Sequence, residues 1–213
     1  MGEFIALINE AFKEGGWGMY PILFLSVVAV GVTVDRTWYL VRSSMDKKRF
    51  LGLMQTLVTQ GNVAQAIRVC NSTDKPITRI IHAGLMKVNQ ADTDVQAAMD
   101  EAALREMPAI EKRTGYLAMI GNVATLAGLL GTIVGLITAF GAVGDADAGQ
   151  KATLLAKGIS EAMNCTAFGL LVGILSLLCF SVLNGKTQGI LDDINEVSAS
   201  VMNLVSSSRQ GRA

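Results

Sequence analysis

Three stretches of the sequence contain no charged residue: Gly15 to Val34, Thr114 to Gly144 and Ala162 to Gly185. A helix rises about 1.5 Å per residue and the hydrocarbon core of a bilayer is about 30 Å thick, so about 20 apolar residues cross it. Each stretch is long enough. A chain of 213 residues could build a soluble core, but 51% hydrophobic against 17% charged residues, with 22 glycines and three prolines, is the balance of a helical membrane protein. Trp17 and Tyr20 at one end of the first span, and Trp38 and Tyr39 at the other, are placed as interfacial anchors facing membrane lipid. That span is expected to be retained, because Glu3, Glu10 and Glu14 oppose a basic leader and no small-residue cleavage site follows.

Direction follows from Lys and Arg, which collect on the cytoplasmic side of a membrane. Between Arg42 and Arg113 lie Lys47, Lys48, Arg49, Arg68, Lys75, Arg79, Lys87, Arg105 and Lys112, whereas only Lys13 precedes Gly15. The expected layout is an all-α, multi-pass inner-membrane protein with its N-terminus outside, on what would be the periplasmic side, and its C-terminus in the cytoplasm. Its segments are an amphipathic interfacial helix (1–14), a first transmembrane helix (15–41), a helical cytoplasmic domain (42–113), a second transmembrane helix (114–144), a short periplasmic link (145–160), a third transmembrane helix (161–185) and a cytoplasmic helical tail (186–213). The second and third spans are expected to extend as helices into the cytoplasm. Cys70, Cys165 and Cys179 then avoid the oxidising side, in agreement with their lack of any pairing pattern.

Within the cytoplasmic part, Phe50, Leu53, Met54 and Leu57 share a helical face that stops at Gly61. Asn62 is placed to cap the next helix and Pro76 to open a third. Thr93 with Gln96 resembles a capping box at the head of a long run toward the second span, with Pro108 as its point of weakness. Ile190, Ile194, Val197, Val201 and Leu204 form an apolar stripe by which the tail packs against other helices.

The second span carries small residues at alternating spacings of four and three: Gly121, Thr125, Gly128, Thr132, Gly135 and Ala139. Gly131 with Gly135 makes a GxxxG pair, and Thr166, Gly169 and Gly173 repeat the device in the third span. Such faces let helix backbones approach closely, so Gly121, Gly128, Gly131, Gly135, Gly169 and Gly173 are read as packing residues that call for neighbours. A threonine hydroxyl within a span either bonds back to its own helix or serves a polar path. Glu161 adjoins the third span, where a carboxylate is a functional candidate, although Lys157 one turn earlier could pair with it at the water boundary.

Other chemistry is poorly supplied. A single histidine, His82, and the absence of CxxC or HExxH motifs leave little for a metal, and no cofactor is expected. No nucleophile elbow or triad pattern marks an enzyme. The 18 basic and 18 acidic residues cancel, so no overall field attracts nucleic acid. No span has a central ionisable group, which argues against a free-standing channel.

The run Ala124-Thr125-Leu126-Ala127-Gly128-Leu129-Leu130-Gly131-Thr132-Ile133-Val134-Gly135, with Gly158-Ile159-Ser160-Glu161-Ala162-Met163-Asn164-Cys165-Thr166-Ala167-Phe168-Gly169-Leu170, resembles the two pore-helix motifs of the TolQ/ExbB/MotA proton-channel family. The topology, the Asp35-Arg36 pair and the short outer link extend the resemblance over nearly the whole chain, closest in plan to TolQ and ExbB. The resemblance implies a homopentameric ring around a dimer of a TolR/ExbD-like single-span subunit that supplies a proton-carrying aspartate. In that picture Thr132, Thr166 and Glu161 line the proton pathway, and proton-motive force becomes mechanical work on a client envelope or motility protein. Thr125 and Leu175 stand where the family often has proline, which implies straighter helices. The alternative from a different class is a non-conducting oligomeric membrane scaffold whose glycine stripes serve assembly alone.

Overall fold

The computed structural model describes residues 16–144 and 147–210, so the interfacial helix expected over 1–14 lies outside the described residues. Among the described residues the chain forms seven helices: α1 (Met19–Ser43), α2 (Lys47–Thr59), α3 (Val63–Ser72), α4 (Pro76–Met86), α5 (Asp92–Glu111), α6 (Thr114–Gly144) and α7 (Ala148–Gln210). The three uncharged stretches fall on α1, α6 and α7, and the structure holds three helical segments long and apolar enough to cross a membrane. Two compact units result. One joins the described residues up to Asp35 with Arg113–Val182, and the other joins Arg36–Lys112 with the residues from Leu183 onward.

The helices of the second unit begin and end where local chemistry tells them to. Asp46 accepts hydrogen bonds from the backbone N–H of Lys48 at 3.1 Å and of Arg49 at 3.3 Å, satisfying two donors that the first turn of α2 leaves free. Gly61 closes α2 with φ +73°, a left-handed conformation that glycine adopts without cost. Asn62 then opens α3 by accepting from Gln65 N–H at 3.3 Å, and Pro76 occupies the first turn of α4, where its missing N–H is not needed. The capping box expected at Thr93 and Gln96 does not form. Helix α5 starts at Asp92 behind Ala91 with no side-chain cap, and Asp92 and Asp94 in its first turn suit the positive end of the helix dipole instead.

The second span and the helix before it are not one continuous helix. Pro108 is accommodated inside α5, and the break comes later: Lys112 is extended, with ψ 139°, and Arg113 takes φ +67° before α6 begins. A residue far away in sequence caps this break. Arg36, only 3% exposed, donates to the carbonyl oxygens of Ala109, at 3.3 Å, and Ile110, and its guanidinium lies 5.0 Å from the Tyr39 ring centre. Those carbonyls belong to the last turn of α5 and have no partner within their own helix, so Arg36 caps it from outside. A buried guanidinium thus meets acceptors for its donors, which offsets the cost of taking the charge out of water.

The rest of this unit is an ordinary helical core. Met54, Ala66, Ile80, Ile81, Leu85, Val95 and Ile110 are almost completely buried. Gly84 lets α4 lie close on α5, because a Cβ there would stand 2.5 Å from Met99 Cγ. On the tail, Ile194, Val197 and Val201 are buried as the stripe predicts, but its ends turn slightly: Leu191 and Val205 are buried where Ile190 and Leu204 are only half-buried. Lys47 ties the tail to the head of α2 through Asp193 and Glu196, each at 2.8 Å, and these bonds hold its amine above the usual lysine range. Burial pushes the Cys70 thiol up to about 11, so it stays protonated and unreactive at neutral pH.

Candidate functional site

The first unit packs α1, α6 and α7 around Met19, Ile22, Ala124, Cys165 and Val172, with Leu25, Ala127 and Phe168 against them. Most of the stretch expected as a link is helix, since α7 begins at Ala148 and runs unbroken past Leu175 to Gln210. Helix α6 likewise passes unbroken through Thr125.

Helices α6 and α7 run antiparallel and meet through their small residues. From one end to the other the seam pairs Ala139 with Gly158, Gly135 with Ala162, Gly131 with Cys165, Gly128 with Gly169, and Gly121 with Gly173 and Ser176. A Cβ on Gly169 would stand 2.8 Å from both the Ala124 oxygen and the Gly128 Cα, so backbone meets backbone there. The six glycines read from the sequence as packing residues therefore find their neighbours within one chain, not only between chains. The sequence missed the far half of the seam, Gly158, Ala162 and Cys165. Their spacing of four and three was a usable signal, hidden at Gly158 by placing residues up to 160 in a loop.

Thr132 and Thr166 face each other across this seam, both half-buried, with their hydroxyls in direct contact. The Thr132 hydroxyl is also 3.1 Å from the Gly128 carbonyl and 3.3 Å from that of Ala162, and the Thr166 hydroxyl is 3.2 Å from the Gly128 carbonyl. Each hydroxyl has one proton for several acceptors, so the pair can exchange which bonds it makes without moving a helix. Thr125, by contrast, donates only back to Gly121 at 3.0 Å. The Glu161 side chain, half-exposed, leaves α7 on a different side from Thr166, the side toward α1, with its carboxylate against Gly16 at the entry to α1. The ion pair with Lys157 that the sequence offered as one reading of Glu161 is not formed among the described residues. At the other end of α1, Asp35 pairs with Arg113 at 3.1 Å.

Residues 72–196, which contain this whole seam, match the model of the MotA/TolQ/ExbB proton channel family. The chain belongs to that family. It is similar to a putative biopolymer transport protein ExbB-like 1 of Synechocystis, 31% identical over 83% of this chain and 70% of that protein. It is also similar to a putative ExbB homolog of Methanothermobacter thermautotrophicus, 26% identical over 90% of this chain and 68% of the other. A Tol-Pal system protein TolQ of Pseudomonas aeruginosa is 25% identical over 78% of this chain and 79% of its own length. As a member of the MotA/TolQ/ExbB family with three apolar membrane-length segments, the chain is a multi-pass inner-membrane protein of a transport family rather than of an enzyme family.

Proposed function

We propose that this family member is the ring subunit of an inner-membrane proton-driven motor, a homopentamer enclosing a dimer of a TolR/ExbD-like single-span partner. The observation that carries the reading is the Thr132 and Thr166 hydroxyl pair, a polar contact maintained next to the apolar cluster of the three-helix unit, with Glu161 five residues before Thr166 on α7. Two hydroxyls that share protons among alternative acceptors suit a path along which an aspartate of the partner loads and unloads its proton. The outward faces of α6, with Leu126, Leu130, Ile133 and Ile137 exposed in the single chain, leave apolar surface for neighbouring subunits and lipid. The scaffold alternative assigned the glycine stripes to assembly alone, whereas within the protomer those stripes already pack on each other.

The test is reconstitution. The chain is produced with and without a partner carrying one N-terminal span and an early aspartate, its stoichiometry is read by native mass spectrometry, and proton uptake is followed in vesicles under an imposed pH gradient. Five copies and flux that depends on the partner's aspartate are expected. A monomer or dimer as the sole species, or no flux from any assembled complex, would sink the proposal.

The proposed orientation has its own check. A cysteine replacing Gly149 is expected to react with an impermeant thiol reagent in intact cells, and one replacing Asn89 only after permeabilisation. The reverse pattern would overturn the assignment of residues 42–113 and the tail to the cytoplasm.

A further inference from the structure

We infer that Gly16 is a positioning residue for the Glu161 carboxylate, so that the entry turn of the first span, rather than Lys157, sets where this acid sits. The inference deepens the proton-pathway reading and rests on it only for its motor readout. Gly16 has φ +65°, and a Cβ built on it would lie 1.7 Å from Glu161 Oε1, 2.7 Å from Cδ and 3.3 Å from Cγ. The carboxylate therefore rests on the bare Cα of this glycine, in space that any side chain would fill.

The turn itself has little freedom to retreat. Met19 N–H bonds to the Gly16 carbonyl at 3.4 Å and Tyr20 N–H to that of Trp17 at 3.3 Å, while Met19 and Ile22 just beyond are 1% and 0% exposed in the core of the unit. Gly18 in the same turn receives the next side chain along α7: its Cβ would stand 3.0 Å from Cys165 Sγ and 3.5 Å from the Gly131 Cα. Glu161 and Cys165 are four residues apart, hence on one face of α7, and the two glycines two residues apart take one each. A side chain at Gly16 strains the left-handed backbone at φ +65° in any case, and its overlap with Glu161 is relieved by moving the flexible end of Glu161, since Cys165 is wedged against Gly131 and the core holds Met19. That end is the part whose place matters.

The test reads the carboxylate directly. The purified full chain is treated with a water-soluble carbodiimide and an amine nucleophile, and amide formation at Glu161 is followed by mass spectrometry of its peptide. In the native chain one carboxylate oxygen is covered by Gly16, so Gly16→Ala is expected to expose it and raise the labelling rate several-fold. Gly18→Ala disturbs the same turn without touching Glu161 and is expected to leave the rate near that of the native chain. In cells, Gly16→Ala is expected to lower motor output while assembly persists. Combining it with Glu161→Asp, whose acid is one methylene shorter and withdraws from the new methyl, is expected to restore part of that output. Equal labelling in the native and Gly16→Ala chains, or an equal rise in Gly18→Ala, would overturn the inference. If the native complex drives no proton-dependent output at all, the motor reading fails, while the labelling result still decides the role of Gly16.

Discussion

Removing both hydroxyls of the seam, as Thr132→Val with Thr166→Ala, is expected to leave an assembled complex whose proton-driven output falls to that of cells lacking the chain. The choice of residues follows from the contact. The two hydroxyls touch more closely than two methyl groups can, so valine at both positions would overpack the seam and confuse a polar effect with a steric one. Valine at 132 fills the lost hydroxyl's place and alanine at 166 makes room for it. The structural loss is bounded, since a typical net hydrogen bond contributes about 0.5–1.5 kcal/mol and the Gly128 and Ala162 carbonyls keep their partners along their own helices. That is too little to dissolve the unit. The Thr132→Ser, Thr166→Ser chain keeps both hydroxyls and is expected to retain output. Motor output is measured with assembly checked by native mass spectrometry, and full output from the hydroxyl-free complex would return both threonines to helix packing.

The second large effect is expected at Gly169, where alanine should destabilise the α6–α7 pair and lower the yield of folded protein sharply. Its Cβ would meet the Ala124 oxygen at 2.8 Å, the Gly128 Cα at 2.8 Å and the Gly128 nitrogen at 3.2 Å. All three are backbone atoms, so relief requires the helices to part, and separation at one point loosens the neighbouring pairs of the seam. The loss should reach or exceed the 1–3 kcal/mol, roughly, that overpacking a tight site costs. Gly31 is the control, being in an apolar helix with nothing within 4 Å of a Cβ. Gly31→Ala is expected to gain about 0.5–1 kcal/mol, the usual preference of a helix for alanine. Thermal unfolding in detergent compares the two, and equal tolerance of both substitutions would show that the seam is looser than these distances imply.

Read alone, the sequence determined what depends on neighbours along the chain. An uncharged run is apolar wherever it lies, so the three membrane-length segments were legible, and so were Asn62, Gly61 and Pro76 at helix ends, whose action reaches only a turn away. The family was legible too, because residues 124–135 and 158–170 carry it as a pattern. What the sequence left open were choices among faces and partners. A stripe of glycines says that some backbone comes close, and only the packed helices show that α6 and α7 of one chain use it on each other. The break at Lys112 and Arg113 has no strong local signal, since Pro108 is absorbed by α5 and the carbonyls at the helix end are capped by Arg36, more than seventy residues earlier. Glu161 had a plausible partner one turn away in Lys157, yet its carboxylate rests on Gly16, which α1 brings to it from the far end of the sequence. Local pattern fixes which helices form; contacts between residues distant in the chain decide which helix end is capped from outside and which side chains meet.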